Sequence, residues 1–230
     1  MRLPKTPEEL SPFIDNTFLK PEGKEEDVKK FVEESNSFNF KTLFVFPSWV
    51  SFVKPLTKIP VGTVSGFPHG GETPEEKAFS ASKALQLGAV EIDYVINIGR
   101  LKSKDYKYIE DEARIMRRVT KGYILKAIIE TCYLTPEEKK IIVKIAEDQE
   151  VDFVKTSTGF GPYGAKVEDI RLIKENTKKI KVKASGGIRT LDFCLELIRN
   201  GAERIGTSTG VSIIKDAIKR YKREGKIWKK

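Results

Sequence analysis

The sequence predicts a closed (β/α)8 barrel (a TIM barrel) with a short helical segment before its first strand, and three observations lead there. β-type runs alternate with helix-type segments eight times within 230 residues, a rhythm that specifies a parallel sheet and, at this length, its closed form. Helix-start and helix-end signals recur at matching places along the chain. Lysine and aspartate also stand inside short β-type runs, where a charge has little reason to be unless it faces a wet interior. An open doubly wound sheet is the main competing architecture. No linker, low-complexity stretch or second domain is legible, so residues 1–230 read as one domain.

Thr6-Pro7-Glu8-Glu9 opens the first helical segment, with threonine as N-cap, proline at the first helical position and glutamate at capping-box spacing. A first strand is expected near 14–18 and a helix near 25–37, then a strand near 42–46 and a helix near 48–54. The strand near 61–65 precedes a second Thr-Pro-Glu-Glu at 73–76, which starts a helix near 74–87. Leu87-Gly88-Ala89 ends that helix, glycine supplying the left-handed terminus, and a strand near 91–96 follows. Next come a helix near 103–119, a strand near 123–129 and the third Thr-Pro-Glu-Glu at 135–138, which begins a helix near 136–149. Strands near 152–156, 180–184 and 203–206 alternate with helices near 167–177, 191–200 and 210–222, and Asn200-Gly201-Ala202 repeats the glycine exit. The tail Lys226-Ile227-Trp228-Lys229-Lys230 reads as a basic, partly ordered extension.

Hydrophobic residues make up 39% and charged residues 33% of the chain, the composition of a soluble globular protein. No apolar stretch approaches the roughly 20 residues of a membrane span. Met1-Arg2-Leu3-Pro4-Lys5-Thr6 lacks the apolar core of a secretory signal, so a cytoplasmic protein is expected. Cys132 and Cys194 suit a reducing compartment, form no metal spacing and read as small buried residues. The single histidine, His69, argues against histidine-based metal sites and reads as a loop residue. A formal charge of +9 admits nucleic acid as a partner. Yet the lysines are interspersed with glutamates over 22–34 and 135–148, the pattern of solvated helix faces, so neither nucleic acid nor membrane is expected. The excess charge suits an anionic small substrate.

Lys155 in Asp152-Phe153-Val154-Lys155-Thr156-Ser157-Thr158-Gly159-Phe160 and Lys183 in Val182-Lys183-Ala184-Ser185-Gly186-Gly187 lie in predicted strands six and seven. Asp93 lies in strand four, so the three can converge where barrels of this kind hold their chemistry. Amine chemistry on a carbonyl fits such a set. An ordinary lysine, with a pKa near 10.4, is neutral in only about 4 molecules in 10,000 at pH 7. A second cation about 4 Å away supplies about 4 kcal/mol at an effective dielectric near 20, enough to make a free amine accessible. Gly186-Gly187 after strand seven and Gly206-Thr207-Ser208-Thr209-Gly210 after strand eight are candidates for holding a phosphate, Gly206, Ser208 and Thr209 among them. Thr158 and Gly159 are expected on the same cavity. Lys126 reads equally as a charge supporting the interior site or as a strand-end surface lysine, and Phe44 and Phe46 share a strand face that looks either inward or outward.

These segments closely resemble the deoxyribose-phosphate aldolase family. Besides the stretches around Asp93, Lys155 and Lys183, the matches are Ile14-Asp15-Asn16-Thr17-Phe18-Leu19-Lys20-Pro21, Ser65-Gly66-Phe67-Pro68, Ile128-Ile129-Glu130-Thr131-Cys132-Tyr133-Leu134 and Arg204-Ile205-Gly206-Thr207-Ser208-Thr209-Gly210, in the family's order. The resemblance implies a class I aldolase that reversibly cleaves 2-deoxy-D-ribose 5-phosphate into glyceraldehyde 3-phosphate and acetaldehyde, with no metal or organic cofactor. Lys155 would then form the Schiff base, Asp93 and Lys183 would transfer protons, and Asp15 and Thr17 would join the substrate-binding set. A homo-oligomer, dimer or tetramer, is expected, as barrels of this kind often pair. Four positions depart from the family. Phe44 and Phe46 in Thr42-Leu43-Phe44-Val45-Phe46-Pro47 replace a frequent cysteine and asparagine, His69 replaces a leucine, and Asn16 stands where histidine or leucine is frequent. Competing functions are another Schiff-base aldolase or transaldolase, and a non-catalytic phosphate-sugar or nucleic-acid binder; a metal-dependent aldolase is disfavoured by the single histidine.

Overall fold

A computed structural model describes residues 3–228; Met1, Arg2, Lys229 and Lys230, to which parts of the terminal expectations apply, lie outside the described residues. Eight parallel strands close on themselves in sequence order. They are β1 (Ile14–Phe18), β2 (Thr42–Val45), β3 (Val61–Ser65), β4 (Glu91–Val95), β5 (Ile124–Ile128), β6 (Phe153–Lys155), β7 (Lys181–Ser185) and β8 (Arg204–Thr207). The structure is the (β/α)8 barrel that the alternation predicts. The outward strand residues, Leu43, Val45, Ile92, Leu125, Val154, Val182 and Ile205 among them, are fully buried in the apolar core beneath the helices.

α1 (Pro7–Leu10) precedes β1, and α2 (Glu25–Ser35) follows it. α4 (Pro74–Gln86) and α7 (Pro136–Asp148) both start with a complete capping box, Thr73 with Glu76 and Thr135 with Glu138. At α1, Thr6 caps Glu9 N–H at 3.3 Å while the Glu9 carboxylate accepts from Lys5 N–H at 2.7 Å. Gly88 and Gly201 hold φ of +106° and +110° at the predicted exits. α8 (Val167–Glu175), α9 (Leu191–Arg199) and α10 (Gly210–Glu224) complete the ring.

Two helices differ from expectation. The segment near 48–54 is broken into a 3-10 turn (Pro47–Trp49), one α turn (α3, Val50–Val53) and a second 3-10 turn (Lys54–Leu56), because prolines sit at both ends. The helix expected over 103–119 starts later, as α6 (Tyr106–Val119) with Asp105 capping Tyr108 N–H, and an additional short helix, α5 (Ile98–Lys102), precedes it across Lys104, whose φ is +60°. The presumed solvated face of 135–148 also hides one charge, since Lys139 is buried and pairs with Asp169 at 2.6 Å. In the tail, Ile227 is buried and Trp228 donates its indole N–H to Pro4, so this part is docked on the N-terminal segment.

Candidate active site

Parallel pairing puts Lys155 of β6 beside Lys183 of β7, and Asp93 of β4 beside Lys126 of β5. Alternate strand residues turn inward, so these side chains converge in the barrel. Lys155 Nζ donates to Asp93 Oδ2 at 3.0 Å, and Lys183 Nζ donates to the same oxygen at 2.7 Å. Lys126 Nζ lies 3.0 Å from Asp93 Oδ1 and 2.5 Å from Glu91 Oε2. A second contact joins Lys183 to Asp15 Oδ2 at 2.7 Å, and Arg204 links Asp15 to Glu91, reaching Glu91 Oε2 at 2.9 Å. Lys126 is therefore an interior charge and not a strand-end surface lysine.

Three carboxylates, Asp15, Glu91 and Asp93, thus face four cations, Lys126, Lys155, Lys183 and Arg204, all buried. Buried charge is tolerated where it is compensated. This network reaches balance when one of its amines gives up a proton. Burial pushes Lys183 down to about 8, with Lys155 and Lys126 adding to the fall and Asp15 and Asp93 opposing it. Burial alone would raise Asp93, but Lys126, Lys183 and Lys155 outweigh it and hold the carboxyl well below the usual range. Asp15 is likewise lowered, as Lys183 and Arg204 overcome its desolvation. Lys126 moves the other way: Asp93 and Glu91 outweigh burial and raise it.

Phe44 is the floor of this cluster. Its ring centroid lies 3.7 Å from Lys183 Nζ, 4.7 Å from Lys126 Nζ and 5.9 Å from Lys155 Nζ, within reach of cation–π attraction for each. Gly62, its neighbour on β3, makes the ring possible, because a Cβ there would stand 2.6 Å from Phe44 Cζ. The shared face of Phe44 and Phe46 therefore looks inward, with Phe44 buried and Phe46 half-buried near Phe67.

Above the cluster opens a cavity of about 510 Å³, and Lys155 is the one member of the Lys155–Asp93–Lys183 set on its wall. Asp93 and Lys183 are fully buried beneath it, while Lys155 keeps 4% of its surface. Thr17, Thr158, Gly159, Gly186, Gly187, Gly206 and Ser208 line the cavity. Asp15 and Thr209 do not. Asp15 is sealed below, committed to Arg204 and Lys183, and the Thr209 hydroxyl is engaged with Ile188 O and Thr207 Oγ1. Gly186 and Gly187 hold φ of +85° and +73°, and a Cβ on Gly187 would meet nothing, so their backbone lies bare to the cavity. Ser208 is exposed just before the N-terminus of α10, the end of a helix that favours an anion.

Several contributors escaped the sequence reading. Thr207 ties the two glycine loops together, donating to Ile188 O at 2.6 Å and accepting Thr209 N–H at 3.0 Å. Ser185 and Arg189 also line the cavity. Glu91 and Arg204 complete the charge network; the signal available was a charge inside a β-type run, the same that singled out Lys155. His69 is exposed in the loop after β3, and Cys132 is half-buried, not fully buried as expected, because its loop stands at the barrel's rim. Cys194 is buried, which pushes its thiol up to about 12.

A profile of DeoC/LacD family aldolases matches residues 13–219. The deoxyribose-phosphate aldolase of Finegoldia magna is 48% identical over 210 residues, covering 90% of this chain and 99% of the relative. That of Thermococcus kodakarensis is 45% identical over 217 residues, covering 91% and 97%. Among solved structures, an aldolase called QR15 superposes with a TM-score of 0.91 at 39% identity, covering 94% of this chain and 98% of that one. A deoxyribose phosphate aldolase from Aeropyrum pernix, described as tetrameric, superposes with a TM-score of 0.84 at 29% identity, covering 92% of each.

Proposed function

The chain belongs to the DeoC/LacD family of aldolases, and we propose that it reversibly cleaves 2-deoxy-D-ribose 5-phosphate into D-glyceraldehyde 3-phosphate and acetaldehyde through a Schiff base on Lys155. The observation that carries this reading is that Lys155 reaches the cavity while sharing one carboxylate oxygen with a second, buried lysine. The names of the Finegoldia and Thermococcus relatives support the substrate.

In the proposed cycle the free amine of Lys155 adds to the C1 aldehyde of the open-chain sugar, and loss of water gives the iminium. Removal of the C3 hydroxyl proton breaks the C2–C3 bond. Glyceraldehyde 3-phosphate leaves, and the electron pair becomes the enamine on Lys155. Protonation at C2 and hydrolysis release acetaldehyde and the amine. A base works best when its pKa lies near the operating pH. Lys183, near 8, meets that condition, whereas Asp93, held far below, serves better as the fixed counter-charge through which the two amines communicate. Of the two proton-transfer partners expected, Lys183 would then accept the C3 hydroxyl proton and Asp93 would hold the charge in place. Backbone N–H groups at Gly186–Gly187 and at the start of α10, with Ser208, would hold the phosphate, and Thr17, Thr158 and Gly159 would border the sugar.

The same reading makes the protein one domain, active in the cytoplasm without metal or organic cofactor. It would act on a small phosphorylated sugar, with no nucleic-acid or membrane partner. No helix among the described residues is long and apolar enough to cross a membrane. The tetramer named for the Aeropyrum relative supports a homo-oligomer here. Product analysis after incubation with deoxyribose 5-phosphate tests the proposal. Acetaldehyde with glyceraldehyde 3-phosphate supports it; dihydroxyacetone phosphate, or no cleavage, contradicts it.

A further inference from the structure

Glu130, just beyond β5, has no part in the cycle above. It is 2% exposed and holds φ of +48°, a left-handed backbone that non-glycine residues seldom adopt and that concentrates at functional sites. Its Oε2 accepts Thr158 N–H at 3.1 Å and also the Thr158 hydroxyl. The Thr158 oxygen in turn accepts Phe160 N–H at 3.0 Å. Gly161 follows, where a Cβ would lie 2.7 Å from Cys132 Sγ and 3.2 Å from Glu130 Cδ, so the loop is packed directly onto the carboxylate.

What this anchor holds is a wall of the cavity. Thr158 and Phe160 both line it with Lys155. The Phe160 ring is 52% exposed and stands edge-on to Phe67, with centroids 5.4 Å apart at 90°, and Phe67 leans on Phe46 at 6.2 Å. Three rings from the loops after β2, β3 and β6 thereby form one apolar surface, and its outermost member is placed by a buried carboxylate. Burying a carboxylate is costly unless its bonds are fixed and strong, and these bonds are made to the loop that begins just after Lys155.

We propose that Glu130 is a positioning residue that locks Thr158, and through it Phe160, into the cavity wall, so that the wall confines the aldehyde held on Lys155 and limits the alkyl substituents it can carry. The inference rests on the Schiff-base aldolase reading. Glu130→Gln and Thr158→Val each raise KM for deoxyribose 5-phosphate about tenfold while kcat stays within about threefold. The double variant falls well short of multiplying the single effects, because both changes act on the bond between the Glu130 carboxylate and the Thr158 hydroxyl. In the synthetic direction, both variants and Phe160→Ala narrow the preference for acetaldehyde over propanal and butanal as donors.

The experiment measures KM, kcat and donor preference on the intact protein, beginning with acetaldehyde release by the unaltered chain. An unaltered chain that releases none overturns this inference along with the aldolase reading. An active one whose folded variants keep the KM and donor preference of the parent, or whose double variant multiplies the single effects, overturns the inference alone. Thr158→Val and Phe160→Ala keep the carboxylate in place and carry the same readouts should Glu130→Gln fail to fold.

Discussion

Lys155 and Lys183 present their terminal nitrogens to one oxygen, Oδ2 of Asp93, at 3.0 and 2.7 Å. One carboxylate oxygen therefore serves two ammonium groups, and neither has it to itself. When either lysine is neutral, Asp93 binds the other more strongly. Of the two, only Lys155 reaches the cavity.

Lys183→Leu tests that coupling. With Lys183 gone, Asp93 faces Lys155 with one competitor fewer, which favours the ammonium form of Lys155, so imine formation requires a higher pH. The pH of half-maximal imine trapping is expected to rise by about one unit or more. The sign follows from removing a cation that shares the Asp93 oxygen with Lys155; with burial lowering Lys183 to about 8, the parent's rate profile is expected to bend near that pH and the variant's to lose the bend. Trapping and rate measured across pH check both; coincident profiles would count against the coupling.

Ser208→Asp places a carboxylate at the start of α10, on the cavity wall. Repulsion of a phosphate dianion there is expected to raise KM for the phosphorylated sugar roughly tenfold or more, and less so at high salt. Unphosphorylated deoxyribose, assayed beside it, should change little. Equal effects on both sugars would move the phosphate elsewhere.

Gly62→Ala tests the packing beneath the site. The new methyl would press on the ring of Phe44, which is buried and held under three lysines. Overpacking of this kind costs about 1–3 kcal/mol, measurable as a lower urea midpoint. Adding Phe44→Leu should return part of the loss, because the two residues share the same space. Additive losses would show that the ring has room to move.

The barrel was legible because its punctuation is local: Thr73 and Thr135 cap helices, and Gly88 and Gly201 end them, where the sequence placed those events. The short α5 gave no signal, since its 5 residues are too few to show a helical period, and α6 begins at Tyr106, where Asp105 caps it. Inward charges are harder. Lys126, Glu91 and Arg204 obey no periodic rule, and a charge in a strand can mark either an interior partner or an exposed end. Charges on helices mislead in the opposite direction. Lys77 of α4 and Glu112 of α6 form a fully buried pair at 2.6 Å that also holds the carbonyls of Gly70 and Val95, yet each sits in a segment rich in solvated charge. Glu130 carries no glycine-like signal for its left-handed backbone, which tertiary bonds to Thr158 impose. The inward direction of Phe44 depended on a glycine on the next strand, a relation that only pairing register reveals.

The most direct measurement is borohydride reduction of the protein in the presence of acetaldehyde, followed by mass spectrometry of its peptides. A single ethyl group is expected on Lys155, none on the buried Lys183 or Lys126, and no adduct in Lys155→Ala. An adduct centred on another lysine, or persisting at full yield in that variant, would contradict that expectation.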